Sequence, residues 1–248
     1  MKISNGVKSK KLSIKIITLF PKFVEDFVEN FGIVRKAIKN KLLEIKPINL
    51  RGFGLDRRGT VDDRPYGGGV GMVLRADVLL KAIQSARRSK IKDKGSRVIL
   101  LTPQGKKFDQ AGAKRLVKYD QLILVCGRYE GFDERIQQFV DEEISVGDFI
   151  LMGGELPALT VAEAVMRLRP GILGKNESAE KESFSEKLLE YPQYTKPEVM
   201  KVKSEKLKVQ SLRVPKVLLT GHHKNIQEWR EKEALKRTKK RRPDLLGV

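Results

Sequence analysis

One cysteine, one tryptophan and two histidines are all that 248 residues hold of those three types. A lone Cys126 cannot close an intramolecular disulfide, which fits a reducing compartment. With no second thiol, and with His222 and His223 side by side, the nitrogen and sulfur ligands of a zinc site are lacking, and no metal ligands are assigned. Uninterrupted apolar runs are also missing. None approaches the ~18 residues of a membrane-spanning helix, and no long basic amphipathic helix presents large apolar residues to a membrane surface. The polar, basic start Met1–Lys11 and the apolar run broken at Lys15 make a poor signal peptide. A cytoplasmic protein with no membrane association is therefore expected. Neither GxxxxGK[ST] nor GxGxxG occurs, so a P-loop NTPase and a dinucleotide-dependent redox enzyme are both disfavoured.

Negative charge is in short supply as well. Against 51 Lys and Arg stand 31 Asp and Glu, a formal net charge of +20, which points to a polyanionic partner, nucleic acid before any other. The balance of 40% hydrophobic and 33% charged residues is that of a globular chain. Its pattern alternates strand and helix. Strands are expected at Ile14–Leu19, Leu42–Leu50, Val98–Leu101, Leu122–Cys126 and around Ile144. Helices are expected at Phe23–Lys39, Ala76–Ser89, Asp109–Lys118, Asp133–Phe139 and Pro157–Leu168, the last stopped by Pro170-Gly171. This order predicts an α/β fold, a mainly parallel sheet with helices on both faces. After Gly174 the composition changes: a polar stretch reads as a linker, and a small basic helical domain follows, with Asn225–Lys240 as its long helix.

Three glycine-bearing segments stand where strands end: Thr102-Pro103-Gln104-Gly105, Gly127-Arg128-Tyr129-Glu130-Gly131, and Gly147-Asp148 running on to Gly153-Gly154-Glu155-Leu156-Pro157. Open α/β sheets bind ligands at the carboxyl ends of their strands, and glycine lets main chain approach a flat ligand closely. One nucleotide-like pocket built largely from backbone is expected. The run Gly67-Gly68-Gly69-Val70-Gly71 reads as a hinge or, with Asp62, Asp63, Arg64 and Tyr66 beside it, as a grip on an unstacked base. Cys126 reads as a buried small residue rather than a nucleophile. Lys236, Arg237, Lys239, Lys240, Arg241 and Arg242, clustered at the end of the basic helix that carries Trp229, read as phosphate contacts.

Six segments in one order carry a resemblance to the bacterial tRNA (guanine-N1)-methyltransferase family. They are Thr60–Gly69, Leu101–Gly105, Cys126–Gly131, Gly153–Ala158, Leu189–Pro197 and Leu219–His223. The resemblance implies a C-terminal trefoil knot within the α/β domain, an exception to the usual rule against knots. It implies a homodimer whose active sites are shared between chains, S-adenosylmethionine as methyl donor, and methylation of N1 of the guanine at position 37 of tRNA, which supports reading-frame maintenance. Magnesium dependence is a further family property. The implied domains are a basic extension at 1–11, the knotted methyltransferase domain at 12–174, a flexible linker at 175–187 and a tRNA-binding domain at 188–248.

By the same resemblance the methyl donor lies against Leu101, Thr102 and Pro103, against Gly127, Tyr129, Glu130 and Gly131, and against Val146, Gly147, Asp148, Phe149, Ile150, Leu151, Gly153 and Gly154. From the glycine loop and the basic helix, tRNA contacts are expected at Asp63, Tyr66, Gly67, Gly68, Gly69, Lys239 and Arg241. Arg167 aligns with the family's catalytic arginine, and Glu182 with its catalytic aspartate, keeping the carboxylate on a stem one methylene longer. In the implied chemistry Glu182 removes the N1 proton as general base, and Arg167 stabilises the charge that builds on the purine. The rivals are a related methyltransferase acting on another RNA or on a ribose hydroxyl, and a non-catalytic RNA-binding relative.

Overall fold

The computed structural model describes residues 10–87, 95–173, 183–184, 187–201 and 211–247. It divides into two units, Met1–Asn176 and Glu177–Val248. In the first, strand β1 (Leu12–Thr18) is buried along almost its whole length, and β6 (Gln121–Cys126) is buried at every position. Near-continuous apolar runs of this kind suit strands covered on both faces, as in parallel sheets. With β2 (Leu43–Asn49), β5 (Ser96–Lys107) and β7 (Glu142–Ser145) they form a five-stranded sheet in the order β2-β1-β6-β5-β7. All four ladders are parallel.

Alternation along the strands sorts the side chains into two cores. Leu12, Ile14 and Ile16 of β1 and Leu122, Leu124 and Cys126 of β6 pack with helices α1 (Pro21–Asn30), α2 (Gly32–Lys39), α4 (Gln110–Leu116) and α5 (Glu155–Met166). Ile17, Ile123 and Val125 point the other way, against α3 (Ala76–Arg87) and the 3₁₀ turn Glu134–Phe139. Each such Leu or Ile contributes roughly 1.5–3 kcal/mol by leaving water.

Three expectations are adjusted by local geometry. Phe23–Lys39 is two helices, because Phe31 adopts an extended conformation (φ −95°, ψ 99°) before Gly32. The strand from Val98 does not stop at Leu101. It shifts register against β7 between Leu101 and Lys106 and pairs again to Lys107. Helix α5 starts at Glu155, two residues before the proline, which proline's fixed φ permits within a first turn. The long loop Arg51–Gly71 holds the 3₁₀ turn Leu50–Phe53 and strand β3 (Asp62–Asp63), paired antiparallel with β4 (Val73–Leu74).

The second unit carries an antiparallel pair, β8 (Val199–Lys201) and β9 (Ser211–Arg213), and the helix α6 (His223–Arg241). The α6 helix is buried at Ala234 and Thr238. The Thr238 hydroxyl donates to the Ala234 carbonyl (2.8 Å) and accepts the Leu189 N–H (2.9 Å). Arg230 lies 4.7 Å above the Tyr191 ring, and Trp229 is 6.4 Å from Tyr194.

Candidate active site

Strands β6 and β7 deliver their carboxyl ends, and β5 the stretch Leu100–Gln104 at its register break, to one edge of the sheet, where a cleft of about 430 Å³ opens. Its walls are Leu100–Gln104, Gly127–Glu134, Glu143–Gly147 and Phe149–Gly154, with Ile136, Gln137 and Pro157. The size lies within the range of small-molecule sites. Two glycines make the walls possible. A Cβ on Gly105 would stand 2.5 Å from the Ile144 nitrogen, and one on Gly154 2.6 Å from the Cys126 Cα and the Gly127 nitrogen. Backbone therefore touches backbone at both places, and the Gly154 N–H donates to the Gly127 carbonyl at 2.9 Å. Peptide groups supply fixed donors and acceptors, and Leu101, Phe149, Ile150 and Leu151 supply apolar surface, a combination suited to a flat heteroaromatic ligand.

Of the residues expected to hold a methyl donor, Leu101, Thr102, Pro103, Gly127, Tyr129, Glu130, Gly131, Val146, Gly147, Phe149, Ile150, Leu151, Gly153 and Gly154 all line this cleft. Asp148 does not; its exposed carboxylate pairs with Lys107 Nζ at 3.2 Å. The glycine loop is stitched to the second wall. Glu130 N–H donates to the Met72 carbonyl (3.0 Å), Leu74 N–H to Gly131 (2.9 Å) and Asp133 N–H to Leu74 (2.9 Å). Within that loop Tyr66 is fully exposed, and Gly67, Gly68 and Gly69 all have positive φ. Asp63 Oδ2 accepts from Arg75 at 2.8 Å.

Arg167 caps the carboxyl end of α5, whereas the cleft meets the amino end at Gly154 and Pro157. A rise of 1.5 Å per residue puts its Cα roughly 18 Å along the helix axis from Glu155. Arg167 is thus not brought to the cleft of its own chain. Glu182 lies outside the described residues. Lys239 and Arg241 lie exposed in the last turn of α6, in the second unit. His222 precedes α6 and His223 is its first residue.

Cys126 is 3% exposed beneath the cleft. Burial, and next the Glu155 carboxylate, hold its thiol well above the usual range, with Arg128 acting against them. A protonated, enclosed thiol is not a nucleophile.

An ion pair not among the expected site residues lies beneath these loops. Glu155 is almost wholly buried and accepts from Arg128 Nη2 at 3.0 Å and from the Thr18 hydroxyl at 2.7 Å. Arg128 Nη1 donates to the Met152 carbonyl at 3.1 Å, and the guanidinium lies 4.3 Å from the Phe20 ring centre. A glutamate opening an apolar helix two residues before a proline was the available cue, since acidic side chains favour a helix amino terminus.

A family model described as tRNA (Guanine-1)-methyltransferase TrmD matches residues 12–248. The tRNA (guanine-N(1)-)-methyltransferase of Haemophilus influenzae is 49% identical over 234 residues, which cover 94% of this chain and 90% of that protein. The enzyme of that name from Shewanella sediminis is 50% identical over 236 residues, 95% of this chain and 93% of that one. The one from Clostridium acetobutylicum is 46% identical over 237 residues, with 96% and 92% covered.

Proposed function

Since the chain belongs to the tRNA (guanine-1)-methyltransferase family, we propose that it methylates N1 of the guanine at position 37 of tRNA, supporting reading-frame maintenance. It is a methyltransferase that acts on N1 of guanine in tRNA, and the family implies S-adenosylmethionine as the donor. The observation that carries the proposed site is the convergence of the ends of β6 and β7 and the register break of β5 on one backbone-walled cleft. The residues fit the donor: the cleft is lined by the glycines Gly127, Gly131, Gly147, Gly153 and Gly154, and the apolar surface of Leu101, Phe149, Ile150 and Leu151 flanks them. When bound, S-adenosylmethionine supplies an electrophilic methyl group on a cationic sulfur.

Guanine N1 carries a proton and is a poor nucleophile until it leaves. Glu182 takes that proton as general base. Arg167, permanently cationic, stabilises the charge that builds toward O6. Its place at the far end of α5 supports a homodimer in which a second copy supplies Arg167 to this cleft. The close backbone approaches at Gly105 and Gly154 support the reading of the sheet edge as a trefoil knot. Lys239 and Arg241 hold tRNA phosphates from a small basic domain, and the mobile-glycine loop with Tyr66 grips the unstacked base.

Among the described residues no helix is long and apolar enough to cross a membrane, and we place the enzyme in the cytoplasm with its tRNA. Magnesium dependence rests on the family resemblance. Among the described residues no group of three or more His, Cys, Asp or Glu could hold a metal ion.

The test is direct: purified protein, methyl-labelled donor and unmodified tRNA transcripts, with the labelled nucleoside identified. N1-methylguanosine should form on a transcript with guanine at position 37 and not on one with adenine there. Label on a ribose hydroxyl or on a different guanine would overturn the assignment.

A further inference from the structure

The buried pair Arg128–Glu155 joins three separate parts of the chain. Thr18 ends strand β1, beside the central strand β6, Arg128 follows Gly127 in the second cleft wall, and Met152 and Glu155 bracket the Gly153-Gly154 turn of the third. The Phe20 N–H donates to Thr18 Oγ1 (2.9 Å), whose hydroxyl donates to Glu155. Thr18 thus holds Glu155 Oε1, while Arg128 holds Oε2 through Nη2 and reaches across to the Met152 carbonyl through Nη1. Arg128 also fills the space a side chain at residue 153 would need, since a Cβ there would stand 2.3 Å from its Nε.

The arrangement is poorly explained as a stabilising device. A buried ion pair recovers its desolvation cost only with good geometry and full hydrogen bonding. Here Arg128 Nε is buried with no hydrogen-bond partner among the described residues. What the pair does fix is distance. Beside the direct Gly154 N–H to Gly127 carbonyl bond, one guanidinium and one carboxylate tie the Met152 end of the turn to the Gly127 wall.

We propose that Arg128 and Glu155 are positioning residues for the methyl donor: they lock the turn Met152–Gly154 onto the Gly127 wall, so the donor meets a preformed slot. This rests on the reading of the cleft as the donor site. Misplacement near 1 Å in such a site can cost on the order of a hundredfold in rate. The effect falls on donor binding and not on tRNA binding.

The experiment uses the full-length protein, with S-adenosylmethionine binding followed by calorimetry and initial rates taken against each substrate. Arg128→Gln should raise the donor Kd and KM about tenfold or more and leave the tRNA KM within about twofold. Arg128→Lys, which keeps the charge on Glu155 but not the fork, should recover part of the loss. The double replacement Arg128→Met with Glu155→Met exchanges the ion pair for apolar bulk. It should keep the thermal midpoint while donor binding stays weak, because the tie to Met152 is gone.

Wild-type donor KM in both Arg128→Gln and the double variant would overturn the proposal. So would a fall in kcat at unchanged donor KM, the mark of fewer folded molecules. If the wild-type protein binds no donor at all, the reading of the cleft fails and this proposal with it. Wild-type binding with unaffected variants removes the proposal alone.

Discussion

Replacing Gly154 by alanine adds a single methyl group where two backbones of the cleft wall meet. The residue has φ −82° and ψ −2°, a conformation open to any amino acid, so no backbone strain is introduced. The cost is steric. The new Cβ would lie 2.6 Å from the Cys126 Cα and the Gly127 nitrogen, where ordinary contact begins at 3.4 Å. Both opposing atoms are main chain in or beside a fully buried strand, so neither can rotate away.

The wall must open by about 0.8 Å, which stretches the 2.9 Å bond from Gly154 N–H to Gly127 beyond hydrogen-bonding range. Overpacking of this kind costs about 1–3 kcal/mol, and the lost bond about 1 kcal/mol more. At about 2–4 °C per kcal/mol for a domain of this size, the thermal midpoint should fall by roughly 4–16 °C. Donor affinity, read by calorimetry below that midpoint, should drop at least about tenfold. Gly68→Ala is the control. Its Cβ would meet nothing within 4 Å, and it should lose about 1–2 kcal/mol through its φ of +81° while donor binding holds. A Gly154→Ala protein that melts and binds like wild type would refute the argument that this contact builds the cleft.

Glu182→Ala should abolish methyl transfer while S-adenosylmethionine still binds, and Glu182→Asp should keep substantial activity; full turnover by the alanine variant removes Glu182 as the base. Cys126→Ala should remain active, and in the native protein Cys126 should resist thiol reagents at pH 8, because burial keeps its thiol protonated. For Glu142, burial acts to raise the carboxyl pKa, but hydrogen bonds and charge from Arg115 (2.9 Å at Nη1) and Arg97 outweigh it, and the net shift is downward. The stability this contributes is present above the unfolded value near 4.5 and is lost as pH falls through the folded value. Glu142→Gln should therefore lower the midpoint at pH 7 more than at pH 3, and equal losses would contradict the pairing. Affinity for tRNA should fall with salt, the log–log slope shrinking by roughly 0.7–0.9 for each of Lys239→Ala and Arg241→Ala; an unchanged slope would take those residues out of phosphate contact.

The strand ends and their glycine loops were legible because both the apolar runs and the glycines are local patterns. Val98–Leu101 and Leu122–Cys126 each run directly into their loops. The break at Phe31 was not legible, since apolar spacing continues across it through Phe27, Phe31 and Val34. The second stretch of β5 was hidden because Thr102–Lys107 has the composition of a turn, and only pairing with β7 makes Lys106 and Lys107 strand. Arg128 and Glu155 sit 27 residues apart and each looks like a surface charge; their contact exists only once the sheet edge has closed. Arg167 was marked by resemblance alone.

The order of strands has a consequence during synthesis. β1 is made early and finds β2 within a short stretch of chain, but its other edge pairs with β6, Ser13 opposite Gln121 through Ile17 opposite Val125. More than roughly 100 residues must leave the ribosome before that edge is covered, about 5–20 s at ordinary elongation rates. For that interval Ile14, Ile16 and Ile17, none of which keeps any solvent contact in the finished protein, stand on an open strand edge. A nascent chain of this kind is a natural client for the chaperones that shield such edges until the middle of the sheet arrives.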